Sequence, residues 1–112
     1  MSDMDAALKA ISDPTRREIL RMVSRGEMPA GIIAARFSMS RPGVSQHLRI
    51  LKDAKLVTER RDGVRRLYRA RAQGLDELRD YLRHFWDDRL LDLKLAAEAD
   101  GKGGTSTGDG VQ

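Results

Sequence analysis

Apolar residues recur at helical spacing along most of the chain, and each run ends at a recognisable breaker. Met4, Ala7, Leu8 and Ile11 suggest a short amphipathic helix. Asp13-Pro14 then reads as a helix start: aspartate can cap exposed N–H groups, and proline at the first helical position loses nothing by lacking its own. The helix predicted over about Pro14 to Ser24 carries an Ile19, Leu20, Val23 stripe, leaves Arg16, Arg17 and Arg21 largely off it, and stops near Gly26. Ala30, Ile33, Ala34 and Phe37 predict a short third helix between Pro29 and about Phe37. Ser40 looks like the N-cap of a fourth, Arg41 to Ala54, with Val44, His47, Leu48 and Leu51 on one face.

Beyond Ala54 the period changes. Leu56 to Arg61 and Arg65 to Arg69 favour extended structure and flank Asp62-Gly63-Val64, where Asp-Gly is a strong hairpin cue. A two-residue loop at Asp62-Gly63 would set Glu59 opposite Arg66 and Val57 opposite Tyr68. From Leu75 the stripe Leu75, Leu78, Leu82, Phe85 or Trp86, Leu90 and Leu93 predicts a helix of about 20 residues. With Tyr81 added, it carries more apolar surface than a small three-helix core and hairpin can cover, so burial against a second copy is expected. The expected class is mainly α with a small β-hairpin: about five helices, dimeric, with residues 1–98 as the folded domain. Residues 99–112, rich in Gly, Ser and Thr, are expected to form a flexible C-terminal tail.

Charge sharpens this picture because it is unevenly placed. Between Arg41 and Arg71 stand ten cations against Asp53, Glu59 and Asp62, whereas Leu75 to Asp100 holds four cations and eight carboxylates. A basic middle beside an acidic helix suits a protein with one face toward a polyanion. No cysteine is present, which excludes disulfides, thiolate metal sites and cysteine nucleophiles. No apolar run approaches the roughly 20 residues needed to cross a bilayer. The first ten residues, with Asp3 and Asp5, do not resemble a secretory signal, so the cytoplasm is the expected location. No clustered carboxylates, paired histidines or activated nucleophile suggest an enzyme.

The third and fourth helices, separated by Ser38-Met39-Ser40, have the spacing of a helix-turn-helix, whose second helix enters the major groove of double-stranded DNA. The face of that helix opposite its apolar stripe presents Arg41, Gly43, Ser45, Gln46, Arg49 and Lys52. Ser40 is expected to cap the helix or hold a phosphate at its start. Arg41, Ser45 and Gln46 are the expected base-reading residues, since arginine can grip guanine and glutamine adenine bidentately. Gly43 either permits close approach to DNA or avoids a clash in the turn. Arg49, Lys52, Arg60, Arg61, Arg65 and Arg66 are expected on phosphates. His47, beside Val44, Leu48 and Leu51, reads as a packed, hydrogen-bonded histidine.

Ser12-Asp13-Pro14-Thr15-Arg16-Arg17-Glu18-Ile19-Leu20, Ser40-Arg41-Pro42-Gly43-Val44-Ser45-Gln46-His47-Leu48 and Arg60-Arg61-Asp62-Gly63 together resemble the ArsR family of winged helix-turn-helix repressors over roughly residues 5 to 95. The resemblance implies dimerisation through the first and last helices, here Leu8 with Leu75, Leu78, Leu82, Phe85, Trp86 and Leu90. It also implies repression of a promoter that often includes the regulator's own. Two departures stand out. Many relatives sense metal through a Cys-x-Cys box on the helix matching Met28 to Phe37, or through Asp and His ligands on the last helix. This chain has no cysteine, and Asp80, His84 and Asp88 offer one histidine on what reads as a solvated acidic face. No metal or cofactor is therefore expected, and no effector is identified. Lys55 stands where the resemblance implies glycine; in a left-handed turn it would cost about 1 kcal/mol. The competing reading is a winged-helix module that binds protein, which the basic middle disfavours. RNA binding is disfavoured because Tyr68 is the one aromatic in the basic segment.

Overall fold

The computed structural model describes residues 3–99. Its elements run α1 (Asp3–Ala10), α2 (Pro14–Ser24), β1 (Met28–Pro29), α3 (Ala30–Ala35), α4 (Arg41–Asp53), β2 (Val57–Asp62), β3 (Arg65–Ala70) and α5 (Ala72–Ala99). The described residues fall into two units, one ending at Arg79 and the other beginning at Asp80. The tail expected over 99–112 lies outside the described residues except for Ala99, which closes α5.

Both predicted caps form. The Asp13 carboxylate accepts the Arg16 N–H at 3.0 Å, and Ser40 Oγ accepts the Gly43 N–H at 3.1 Å. Each satisfies a donor that the first helical turn would leave unpaired. With α2 and α4 started there, their apolar stripes meet. Ile19, Val23, Ile33, Val44, Leu48, Leu51, Leu56 and Val57 are almost wholly enclosed, and Ala7, Ala10, Tyr68 and Leu78 complete the core.

The sheet differs from the expected hairpin in two ways. It has three antiparallel strands in the order β1-β3-β2, because Met28 and Pro29 pair with Tyr68 and Leu67. Two residues ending in proline carry no alternating pattern, so β1 could not be read locally; its place on the sheet edge is one that proline tolerates. The wing loop is Gly63-Val64, not Asp62-Gly63: Asp62 pairs with Arg65, Glu59 with Tyr68, and Val57 with Ala70. Gly63 has φ +67° and Val64 does not enter the left-handed region, as in a turn with glycine at its first central position. The expected Glu59–Arg66 and Val57–Tyr68 cross-strand pairs are thereby corrected by two residues along β3.

The α4–β2 junction is built as anticipated, with an unanticipated partner. Lys55 has φ +63°, the left-handed conformation in which glycine is favoured. The Leu56 N–H bonds to the Leu51 carbonyl at 3.0 Å and the Lys55 N–H to that of Lys52 at 2.9 Å, the paired bonds of a Schellman helix end. The start of α5 closes over this turn. The Arg71 N–H donates to Leu56 O at 2.8 Å, and a Cβ on Gly74 would lie 2.0 Å from Lys55 O. Only glycine fits at that backbone crossing.

From Asp80 to Ala99, α5 is exposed along its length. Its ring contacts are internal: Tyr81 and Phe85 stack with centroids 6.5 Å apart, and the Arg89 guanidinium lies 6.0 Å from the Phe85 centroid. No helix among the described residues is long and apolar enough to cross a membrane.

Candidate nucleic-acid interface

The polar face of α4 is exposed as its periodicity requires. Arg41, Ser45, Gln46 and Arg49 are all solvent-accessible, while Val44, Leu48 and Leu51 on the other side are buried. The helix is anchored on that buried side by Arg16. Its Nη1 donates to His47 Nδ1 at 3.1 Å, its Nε to Ala10 O at 2.7 Å and its Nη2 to Lys9 O at 3.2 Å. Arginine has no acceptor, so His47 Nδ1 receives the bond. One half-buried side chain thus ties the end of α1 and the start of α2 to α4. His47 has the packed, hydrogen-bonded setting expected of it, with Asp13 Oδ2 3.9 Å from the same nitrogen. The Arg16 N–H holds the Asp13 carboxyl below the usual carboxylate range, and the Arg16 charge adds to this.

Gly43 is half-buried, and a Cβ there would stand 3.2 Å from Ser40 Oγ. Its lack of a side chain leaves room for the cap, which accounts for the residue without any ligand.

Glu59, expected only as a cross-strand partner of Arg66, joins the wing to α4. Glu59 Oε1 accepts from Lys52 Nζ at 2.9 Å, and Oε2 accepts from the Tyr68 hydroxyl at 3.3 Å with Arg66 Nη1 at 3.7 Å. The Lys52 hydrogen bond is the chief reason the Glu59 carboxyl is lowered and the Lys52 ammonium raised from their ordinary values. Burial, with the Glu59 charge beside it, raises the Tyr68 hydroxyl. Lys52 and Arg66 therefore face a carboxylate in the free protein. Arg60 is more firmly engaged: its Nε and Nη2 donate to the two Glu27 oxygens, both at 2.8 Å. A phosphate contact by Arg60 requires displacing that bidentate partner. Arg41, Arg49, Arg61 and Arg65 are exposed and have no ion-pair partner among the described residues. Glu59 with Arg66 was anticipated, though from a strand register that the structure shifts; Lys52 with Glu59 and Arg60 with Glu27 were not legible beforehand, because each joins residues whose proximity depends on packing α4, β1 and the hairpin together.

The residues expected at a dimer contact divide. Leu78 is buried, and Leu75 and Leu8 are half-buried against the protomer's own core. Leu82, Phe85, Trp86 and Leu90 are 40%, 51%, 64% and 49% exposed, joined by Leu91, Leu93 and Leu95. Among the described residues, no group of three or more His, Asp or Glu side chains is placed to hold a metal ion. On α5, His84 Nδ1 donates to the Asp80 carbonyl at 2.8 Å.

Comparison with known proteins agrees with this geometry. A helix-turn-helix domain family matches residues 11–60. The HTH-type transcriptional regulator Rv2034 of Mycobacterium tuberculosis is 39% identical over 97 residues, covering 87% of this chain and 91% of that protein. The transcriptional repressor SdpR of Bacillus subtilis is 50% identical over 60 residues, 54% of this chain and 67% of SdpR. Among solved structures, a possible transcriptional regulator for arsenical resistance superimposes with TM-score 0.72 at 40% identity, covering 92% of this chain and all of the other. The homodimeric winged helix-turn-helix DNA-binding domain of a possible ArsR-family regulator from Mycobacterium bovis gives 0.62 at 28% identity, over 79% and 82% of the two chains.

Proposed function

The chain belongs to the ArsR family of winged helix-turn-helix transcriptional regulators, and from that premise we propose that it is a homodimeric repressor of an inverted-repeat operator, its own promoter among the targets, in the cytoplasm. Its family is one of DNA-binding regulators and not of enzymes. The observation that carries the reading is one cationic, polar surface shared by two elements: the exposed face of α4 and the wing that Glu59 ties to it through Lys52.

In this reading α4 enters the major groove, Arg41, Ser45 and Gln46 meet base edges, and Ser40 caps the helix next to the backbone. Arg49, Lys52, Arg60, Arg61, Arg65 and Arg66 supply the attraction to phosphates. The exposed Leu82, Phe85, Trp86 and Leu90 of α5 pair with those of a second copy, and Leu8, Leu75 and Leu78 support that contact from within each protomer. Residues 1–98 act as the binding and dimerisation domain. Two recognition helices related by a dyad would meet DNA about 34 Å apart, which calls for an imperfect inverted repeat. Occupancy of such a site excludes polymerase. SdpR, a repressor by name, supports the sign of the regulation.

The test is fluorescence anisotropy across a salt series, using duplex DNA from upstream of the chain's own coding sequence and a scrambled duplex of equal length. If the dimer neutralises on the order of eight phosphates, log K falls against log salt with a slope near −7, and the upstream duplex binds more tightly. A slope near zero contradicts the electrostatic mechanism. Equal binding to every upstream and scrambled duplex by an intact dimer would favour a protein-binding module.

A further inference from the structure

A cleft of about 420 Å³ lies between the start of α3 and the tip of the wing, lined by Pro29 to Ile32 on one side and Val64, Arg65 and Arg66 on the other. Arg41, the first residue of α4, completes it. The Arg41 guanidinium lies against the beginning of α3: a Cβ built on Gly31 would stand 3.9 Å from Nη2. Its charged end therefore lies beside α3, and Arg41 shares the cleft with the wing residues. β1 pairs only with Tyr68 and Leu67, so the β3 edge at Arg65 and Arg66 is left unpaired toward this side.

Arg41 and Arg65, which have no ion-pair partner among the described residues, line the cleft with Arg66, whose guanidinium also faces Glu59 at 3.7 Å, and no acidic residue is part of the lining. Like charges gathered in this way repel one another and attract an anion. The cleft is not purely polar, however. Val64 is 96% exposed and Ile32 53% exposed, both on its walls. A simple inorganic anion makes no use of those aliphatic groups, whereas a sugar-phosphate backbone offers a charged oxygen pair flanked by apolar deoxyribose carbons.

We infer that this cleft seats a phosphodiester of bound DNA, and that Arg41 is a phosphate ligand acting with Arg65 instead of a reader of base edges. The inference rests on the DNA-binding reading and alters the role expected of Arg41 within it. Base discrimination then falls to Ser45 and Gln46, while Arg41 fixes the register of α4 by clamping the strand between the recognition helix and the wing. Phosphate contacts position a protein on DNA without carrying sequence information.

The experiment measures Arg41→Ala, Arg41→Lys, Arg65→Ala and the Arg41→Ala/Arg65→Ala double variant on the upstream and scrambled duplexes between 50 and 200 mM salt (roughly the range in which counterion release is resolved). Thermal melting checks that each variant is folded. Arg41→Ala is expected to weaken binding to both duplexes by the same factor, about tenfold, as a charge-assisted hydrogen bond disappears. The log–log salt slope becomes shallower by about 0.9 for each phosphate that is no longer neutralised. Arg41→Lys retains most of the affinity, since a point charge still serves a phosphate but cannot reproduce a bidentate grip on guanine. The double variant loses less than the sum of the single losses, because two ligands of one phosphate are coupled.

Loss of preference for the upstream duplex in Arg41→Ala, not restored by lysine, makes Arg41 a base reader and overturns the inference. Unchanged affinity, or strict additivity with Arg65→Ala, overturns the shared seat. Absence of salt-sensitive binding by the unaltered chain is a separate result, which removes the DNA-binding reading itself.

Discussion

Lys55 and Gly74 show how one backbone carbonyl can set the residue required at two positions. Lys55 occupies the left-handed conformation that ends α4, and its carbonyl then points where a side chain on residue 74 would have to be. Lys55→Gly should stabilise the protein by about 1 kcal/mol, the approximate cost of placing a non-glycine residue there. The expected readout is a rise of about 4 °C in the thermal midpoint. Gly74→Ala should do the reverse, by about 3 kcal/mol, because its Cβ meets backbone and not a side chain that can swing aside; urea unfolding of the two variants side by side measures both. The strain at Lys55 could be anticipated from a resemblance, whereas nothing in the residues around Gly74 marks it. Its partner is 19 positions away and is brought close only when α5 folds back.

At the level of elements, the helix-turn-helix and the wing are coupled through Glu59. Its carboxyl is lowered from the usual 4.5 by the Lys52 hydrogen bond, so it favours the folded state while ionised. That contribution is complete above pH 4.5 and is lost as pH falls below it through the lowered folded value. Glu59→Gln should therefore flatten the acid limb of the stability profile relative to the unaltered protein, as followed by denaturant midpoints at a series of pH values. Equal slopes in the two proteins would mean the contact adds no linked stability. Helices α2 and α4 were legible because caps and apolar periodicity act over a few residues. The wing register was not, since Asp-Gly and Gly-Val are adjacent two-residue loops and only the strand pairing chooses between them.

For the whole molecule, most of the large apolar side chains left exposed among the described residues stand on α5. Trp86 is the chain's one tryptophan and stands 64% exposed, so it reports on the proposed pairing directly. Dilution through the dimer dissociation range should move its emission to longer wavelength. Leu82→Glu with Trp86→Glu, on one helical face, should give a monomer in sedimentation equilibrium and weaken operator binding at least tenfold, because only one half-site can then be held at a time. Tight, unchanged operator binding by a monomeric variant would remove dimerisation from the mechanism.

The sequence by itself determined the helices, the capped beginnings of α2 and α4, the presence of a wing and the polar face of α4. Each depends on residues within a turn or two of one another, and local hydrogen bonding and periodic burial suffice to specify it. Tertiary structure decided which cations meet carboxylates, that Arg60 is held by Glu27 and Lys52 by Glu59, that Arg41 turns toward α3, and that Met28-Pro29 joins the sheet. Those outcomes depend on groups far apart in the chain. Their distance is set by how α3, α4 and the hairpin pack on the shared core, and the strength of an ion pair follows that distance.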